Sequence, residues 1–325
     1  MQRVAHFIET RDSFFCFLEA FVGTDALGPL QRVWGIPLRT PRNYLWPHLT
    51  FAFKEFDQYP SSFSAVIPCF PAVRLRGQVD WALLRHFIQS STPVEWICES
   101  PNWPSIGLWM DQLRSHHIVS IEVLRIDVGI VDMLPFLPHL RQLKMTSFDD
   151  ATTHTLVNYL HHSNISQLTL WADPEPEDED DDPPQPRLTN FYVWRLTQWI
   201  ANKPVRALDL AMFNICANKV LMKTFYDTVF TRLQHYGHSS MPLTGFETYA
   251  FARPLLVMSL NMSPAGLNSS TLTMLGAGLL NSNVTTLDLS CNKIDRSGVS
   301  ALAQAWRTLD APPWQRFCPG HKSKS

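Results

Sequence analysis

The pattern of hydrophobic and polar positions in residues 284–306 changes once, from the period of a strand to that of a helix. Val284, Leu287 and Leu289 have the V-x-x-L-x-L spacing of a short strand with one buried face. The apolar residues that follow recur on one helical face, at Val299, Leu302, Ala303 and Trp306. One strand and one helix cannot bury their own apolar faces, so this unit predicts neighbours of the same kind.

The same strand pattern recurs upstream at 121–126, 140–145, 165–170, 205–210 and 255–260, with fainter copies at 72–77 and 94–100. Most copies precede a stretch with helical periodicity. Counted from Leu124, the fourth residues of successive copies lie 19, 25, 40, 50 and 29 residues apart. The two long intervals predict an acidic insertion at 172–186 and a second insertion at 236–254.

The stretch LDLSCNKIDRSGVSALAQAW resembles a leucine-rich repeat of the ribonuclease-inhibitor type. The positions that match this repeat are Val284, Leu287, Leu289, Asn292, Ile294, Gly298, Leu302 and Ala303. The resemblance implies an α/β leucine-rich-repeat solenoid over residues 120–310, a horseshoe with parallel strands on its concave face and helices outside. In such a turn the Asn292 amide is expected to satisfy backbone groups that would otherwise be buried without partners.

Residues 1–56 have a hydrophobic pattern different from that of the repeats, with clustered phenylalanines, then Trp34 and the pair Leu45–Trp46. This order resembles the F-box, a small helical module, although the Leu-Pro-x-Glu-like motif that opens an F-box is missing and the chain starts at Met1 inside the expected first helix. The resemblance implies docking on a Skp-type linker protein of a cullin ubiquitin ligase. The side chains expected to contribute to docking or to the core of the module are Phe14, Phe15, Leu18, Leu45 and Trp46. The alternative is a plain helical cap that seals the first strand of the solenoid.

Three further segments fit the repeat template badly. Residues 57–119 predict an irregular transition with degenerate repeats, and residues 311–325 predict a tail. The run 173–182 holds eight acids and precedes P-P-Q-P, so we expect a solvated loop there. The alternative for this run is an arm that recruits a basic partner by electrostatic steering.

Exposed strand positions would line the concave face of a solenoid. The partner-binding residues expected there are Arg125, Lys144, Trp171, Asp209 and Asp288. Their charge changes from basic to acidic along the row, and Trp and Arg are favoured anchors of protein interfaces. The alternative is that these side chains only keep the surface soluble.

Composition and sequence motifs limit the functions expected of this chain. The net charge of −2 gives no signal for specific nucleic-acid binding. Six scattered cysteines, no signal-peptide-like N-terminus and no apolar run long enough for a membrane span predict a cytoplasmic or nuclear protein with no membrane partner. The H-E-x-x-H, G-x-S-x-G and Walker-type motifs do not occur, and the histidine pairs at 116–117 and 161–162 are typical of helix ends. We therefore expect no catalysis, no metal and no cofactor.

These observations predict a non-enzymatic scaffold for protein–protein interaction. By the F-box resemblance, its most specific form is the substrate-recognition adaptor of a cullin-type ubiquitin ligase, which binds a Skp-type linker protein and a ubiquitylation substrate. The alternative is a stand-alone leucine-rich-repeat binding or inhibitory scaffold. Exposure of Phe14, Phe15 and Trp46 distinguishes the two, because a docking patch has to be accessible. A third hypothesis, a small-GTPase regulator, lacks a residue that stands out for the role.

Overall fold

The computed structural model describes residues 8, 10–35, 44–46, 48–52, 66–98, 106–124, 129–146, 150–172, 186–246, 249–251, 254–280, 282–307 and 316–317. The chain forms two compact units, the N-terminal unit Met1–Arg141 and the C-terminal unit Gln142–Ser325. The predicted start of the repeat array at residue 120 does not coincide with the division between them.

The described residues of the N-terminal unit form short helices and four short strands. Its helices are Arg11–Ala20 (α1), Leu30–Gly35 (α2), Trp81–Leu84 (α3), Ile106–Arg114 (α4) and Gly129–Met133 (α5). Single 3₁₀ turns lie at Asp25–Leu27, Ile67–Cys69 and Leu134–Phe136. The strands are Leu49–Ala52 (β1), Val73–Arg76 (β2), Pro93–Cys98 (β3) and His117–Val123 (β4), and they pair in parallel in chain order.

Parallel pairing therefore begins well before the predicted array, and within the described part of residues 57–119 the strands β2 and β3 lie where the fainter repeat copies were expected. In β3 the buried positions are held by Val94, Trp96 and Cys98. Trp96 pairs with Leu75 of β2 on one side and with Ile121 of β4 on the other. Strand β3 fits the leucine template only faintly because tryptophan and cysteine occupy positions where the template has aliphatic residues.

The C-terminal unit alternates strands with longer helices. The strands are Gln142–Thr146 (β5), Gln167–Trp171 (β6), Arg187–Leu188 (β7), Ala207–Ala211 (β8), Asn214–Ile215 (β9), His235–Ser239 (β10), Ser259–Asn261 (β11), Thr286–Asp288 (β12) and Arg316–Phe317 (β13). The helices are Asp150–Leu160 (α6), Asn190–Asn202 (α7), Lys219–Arg232 (α8), Ser269–Leu279 (α9) and Arg296–Arg307 (α10). Strands β5, β6, β8, β10, β11, β12 and β13 pair in parallel in that order, and β7 pairs with β9 separately.

The register of this parallel sheet aligns one buried residue from each strand in a continuous row. The row comprises Leu143, Leu168, Leu208, Tyr236, Leu260 and Leu287. Burying a side chain of this size stabilises a fold by about 1.5–3 kcal/mol relative to leaving it exposed. Parallel strands with intervening helices fit the α/β leucine-rich-repeat class that the sequence resembles.

The predicted insertion at 236–254 was wrong at its start, because residues 236–239 belong to β10. Tyr236 lies between Leu208 of β8 and Leu260 of β11, 28 residues after the first and 24 before the second. The interval of 50 residues therefore contains one more repeat. A search for leucines missed it since Tyr236 and His238 fill the two core-facing positions of the strand.

Two registers predicted from the sequence also need correction. Leu260, and not Met258, aligns with Leu287 in the buried row, and Met258 is exposed. In β4, Ile121 and Val123 are buried, whereas Leu124 is 36% exposed and lies outside the strand. Both errors arose because hydrophobic residues two or three positions apart satisfy the same spacing in more than one phase.

The predicted role of Asn292 is confirmed by its hydrogen bonds. Its side-chain Oδ1 accepts from the backbone N–H groups of Ala265 and Leu267, at 2.9 and 3.0 Å. Its Nδ2 donates to the carbonyl oxygens of Met262, Leu289 and Ser290, at 2.6, 3.0 and 3.3 Å. One amide therefore joins the turn of the β12 repeat to the turn of the preceding repeat.

Asp295 and Gly298 explain how the last described helix begins and packs. The Asp295 carboxylate accepts hydrogen bonds from the N–H groups of Ser297 and Gly298, at 2.8 and 3.0 Å, as a helix cap does. These bonds, with one from the Ser269 hydroxyl, hold the pKa of Asp295 below its usual range. A Cβ at Gly298 would approach Leu272 Cδ1 to 2.8 Å, so glycine permits close packing of α10 on α9. On α10 itself, Leu302 is buried but Val299 is exposed, which the predicted helical face did not anticipate.

The acidic run 173–182 lies outside the described residues, as does most of the predicted tail 311–325. Within the part of the chain that the structure describes, no helix is both long and apolar enough to cross a membrane.

Strand β10 introduces a polar pair into the core. The Tyr236 hydroxyl lies 2.9 Å from His238 Nδ1, and both side chains are fully buried. Burial disfavours the charged imidazolium and lowers the pKa of His238 to about 4. We infer that His238 is neutral in the folded protein and accepts a hydrogen bond from Tyr236.

We expect Asn292→Ala to lower the free energy of unfolding by about 2–4 kcal/mol, because buried backbone groups in two turns lose their partners. Urea titration followed by circular dichroism measures the change. Asn202→Ala is the matched control, since the Asn202 amide bonds only to Gln198 within an exposed turn of α7. Equal losses in the two variants would contradict the structural role of Asn292.

We expect stability to fall as the pH drops from about 6.5 to about 4, by about 3 kcal/mol from His238. The sign follows from the lowered pKa, because the unfolded chain takes up a proton in this range and the folded chain does not. The double variant Tyr236→Phe/His238→Leu removes both partners and should flatten this part of the pH profile. Tyr236→Phe alone retains the titrating group, so it should keep the slope. An identical slope in the wild type and the double variant would contradict the assignment.

Candidate protein-binding face

Strand residues that alternate with the buried rows point to the opposite side of the C-terminal sheet. We call this side the open face. Its residues are Gln142, Lys144, Thr146, Gln167, Thr169, Trp171, Ala207, Asp209, Ala211, His235, Gly237, Ser239, Ser259, Asn261, Thr286 and Asp288. Most of these residues are partly or fully exposed, in contrast to the buried leucines beside them.

Trp171 is the largest side chain on the open face and is 45% exposed. It ends β6 and pairs with Thr146 of β5 and Ala211 of β8. The Lys144 ammonium lies 5.2 Å from the centre of a Trp171 ring, within the range of a cation–π contact. The structure therefore brings together two of the residues that the sequence predicted for partner binding.

Asp209 is the centre of a second group on the open face. Its Oδ1 lies 2.7 Å from His235 Nε2, and its Oδ2 accepts a long hydrogen bond of 3.4 Å from the Thr169 hydroxyl. A Cβ on Gly237 would come within 1.8 Å of Asp209 Oδ1. Glycine at this position thus leaves the space that the carboxylate occupies.

The far end of the open face is polar and internally bonded. Asp288 Oδ1 accepts from the Ser290 N–H at 2.9 Å, and Asn261 Oδ1 accepts from the Ser263 N–H at 3.1 Å. Such bonds to the backbone two residues ahead shape the turns that follow β11 and β12. Asp288 is therefore on the face as predicted, but one of its oxygens already stabilises a turn.

Sequence reasoning missed part of this face. Arg125 lies outside the described residues, so its predicted place is not tested. Asn261, and not Ser259, aligns with Asp288, because the register of β11 differs from the predicted one. His235 and Gly237 were missed together with β10. The alternation H-Y-G-H at the expected repeat interval was the available signal.

The corresponding side of the N-terminal sheet has paired charges. Arg74 and Glu95 are partners across β2 and β3, and an Arg74 Nη2–Glu95 Oε2 contact of 2.6 Å joins them. Arg74 Nε also donates to Glu95 Oε2 at 2.8 Å. Two N–H groups of Arg74 thus converge on one oxygen of Glu95, and this charge-assisted pair makes both charges less available to a partner.

The five candidates for linker docking are buried. Phe14, Phe15, Leu18, Leu45 and Trp46 are each at most 3% exposed. The rings of Phe14 and Trp46 stack with centroids 3.7 Å apart, and Trp46 Nε1 donates to the carbonyl oxygen of Ile8 at 2.7 Å. These side chains form a core, which is one of the two roles expected for them, and they do not form an exposed patch.

The described residues contain no group of three or more His, Cys, Asp or Glu side chains placed to hold a metal ion. His116 is buried, and its Nε2 lies 3.1 Å from the carbonyl oxygen of Trp81. Burial lowers the pKa of His116. Its neighbour His117 instead approaches the carbonyl oxygen of Ser91, at 3.1 Å.

Comparison with known protein families gives one match to this chain, a Leucine Rich repeat family model that covers residues 280–303. The matched segment contains β12, Asn292 and the first part of α10. None of the curated proteins compared with the chain matches it. The repeat match suggests a protein-interaction scaffold, and the open face is the candidate surface for a protein partner.

Proposed function

We propose that this protein is a non-enzymatic interaction scaffold that binds a protein partner on the open face of its C-terminal unit. The observation that carries the proposal is Trp171, a large aromatic side chain that is 45% exposed on a strand. Aromatic and arginine side chains dominate the binding energy of protein interfaces, because they bury much area when a partner excludes water. The leucine-rich repeat at 280–303 supports the same function.

The polar groups around Trp171 support a binding role over a merely solubilising one. Lys144 and Asp209 offer opposite charges on the two sides of the strand that carries Trp171. Opposite charges at fixed positions select the orientation of a partner. A surface that only needed solubility would be served by any small polar residue in place of Trp171.

We expect Trp171→Ala to weaken partner binding at least tenfold, since the variant removes the exposed aromatic anchor. Proteins retained from native cell lysate by the tagged chain are identified, and the retained partner is then purified and titrated by calorimetry. Trp194→Ala is the matched control, because Trp194 is 46% exposed but lies on helix α7. Loss of binding with Trp194→Ala and retention with Trp171→Ala would move the binding surface to the helices and contradict the proposal.

A finer form of the proposal makes the protein a cytoplasmic or nuclear adaptor that carries a ubiquitylation substrate to a cullin ligase. The support for it is the F-box resemblance of residues 1–56. Because Phe14, Phe15 and Trp46 are buried, docking on a Skp-type linker protein has to use neighbouring side chains. Phe17 and Phe21, with ring centroids 5.4 Å apart, and Val22, which is 42% exposed, supply accessible apolar surface next to that core.

For this finer form we expect a 1:1 complex with the Skp-type linker protein in size-exclusion chromatography. Phe17→Ser/Val22→Ser should abolish the complex while circular dichroism stays native, because both side chains are accessible. Phe14→Ala should instead reduce stability, since it opens a cavity beside Trp46. A folded, monodisperse wild-type protein that forms no complex would eliminate the adaptor role and leave the stand-alone binding or inhibitory scaffold.

A further inference from the structure

The carboxylate of Asp209 is only partly used within the protein. Oδ1 approaches His235 Nε2 at 2.7 Å, whereas the hydrogen bond from Thr169 to Oδ2 is long, at 3.4 Å. The Asp209 side chain is 28% exposed, so a partner can reach part of it from outside. An anionic acceptor held in place by a histidine is pre-organised for a cationic donor.

Small residues surround this carboxylate on the open face. Gly237 of β10 is the direct pairing partner of Asp209 in β8, and Ala211 lies two residues after Asp209 in β8. Neither residue has a side chain longer than a methyl group. The Asp209 carboxylate therefore lies over Gly237, in space that any larger side chain there would take, and it stays 28% exposed on the open face.

Trp171 lies near this carboxylate on the same face of the sheet. Thr169 pairs with Asp209 and Trp171 pairs with Ala211, so Trp171 and Asp209 are diagonal neighbours on adjacent strands. Diagonal neighbours on one sheet face lie roughly 7–8 Å apart, within reach of one long side chain. Lys144 already places a cation near the indole from the opposite neighbouring strand, which shows that this ring accepts a positive charge.

We propose that the open face anchors an arginine side chain of the protein partner, with the guanidinium stacked on Trp171 and hydrogen-bonded to Asp209. The inference rests on the proposed function and adds the chemistry of the partner. A guanidinium is planar, stacks on aromatic rings and donates along two edges, so it satisfies both groups at once. A lysine ammonium is a strongly hydrated point charge and fits the pair less well.

The sequence adds a second attraction that the test has to separate from the anchor. Eight acids lie at 173–182, close after Trp171 in the chain, and would attract any basic peptide at low salt. Such attraction depends on total charge and not on the shape of a guanidinium. Replacing arginine by citrulline, which has nearly the same shape but no charge, and mutating each site separately distinguishes the two sources.

The experiment uses the full-length chain and a library of random twelve-residue peptides displayed on phage, selected at physiological salt. Selected peptides are synthesised, and their affinities are measured by calorimetry. We expect them to share an arginine whose replacement by citrulline weakens binding at least tenfold. Asp209→Asn and Trp171→Ala should each weaken binding at least tenfold, whereas Asp132→Asn and Trp194→Ala should change it less than twofold.

The remaining outcomes separate failure of the anchor from failure of the proposed function. Peptides that lose binding with Trp171→Ala but tolerate citrulline would overturn the arginine anchor and leave the open face as a binding surface. Binding that persists in Asp209→Asn but is lost when the acids at 173–182 are replaced by Asn and Gln would also overturn the anchor. A library that yields no peptide sensitive to Trp171→Ala would contradict both the anchor and the proposed function.

Discussion

The parallel register of the C-terminal sheet is the constraint on which the rest of the structure depends. It aligns Leu208, Tyr236, Leu260 and Leu287 in one buried row across the strands. The residues before and after each of them on its own strand therefore have to point to the open face. A slip of one residue would exchange the two sides completely. Core and candidate binding surface are therefore set by the same hydrogen-bonded ladder.

Tight stacking of repeats creates a second requirement, since each turn between strand and helix carries backbone groups that water cannot reach freely. Asn292 satisfies such groups in its own turn and in the turn before it. Gly298 lets the following helix approach its neighbour closely. The residues that define the repeat motif thus solve packing problems of the turns and helices.

Strand β10 departs from the leucine pattern on both of its sides. Tyr236 and His238 replace aliphatic residues in the core and share one hydrogen bond between the Tyr236 hydroxyl and His238 Nδ1. On the open face, the Asp209 carboxylate of the adjacent strand lies over Gly237 and 2.7 Å from His235 Nε2. A strand that departs from the repeat template therefore supplies the space and the hydrogen-bond partner for the Asp209 carboxylate on the open face.

The prediction of structure from the sequence was most accurate for the unit in which every position of the repeat motif is present. The unit from Val284 to Leu302 was found with its strand, its structural asparagine and its helix, because each has a separate signal. The phase of β11 could not be predicted, since Met258 and Leu260 both fit the spacing and only pairing with β12 selects one. Likewise, the contact between Asp209 and His235 joins residues 26 positions apart, which no local pattern encodes. For Phe14 and Trp46, the sequence indicated apolar side chains, but only the structure distinguishes a core from an accessible patch.

Exposure alone does not distinguish the two candidate aromatic surfaces of the C-terminal unit, because Trp171 and Trp194 are almost equally exposed. Their neighbours do. On α7, the Arg195 guanidinium lies 5.4 Å from a Trp194 ring and 5.5 Å from Phe191, whose other neighbour His154 stacks on it at 5.3 Å. These aromatic groups already have planar partners within the protein. The neighbour of Trp171 is instead the Lys144 ammonium, which is not planar and lies 5.2 Å from the ring centre. Trp171 is also the diagonal neighbour of Asp209, whose side chain is 28% exposed, so a partner can contact both residues on one face of the sheet.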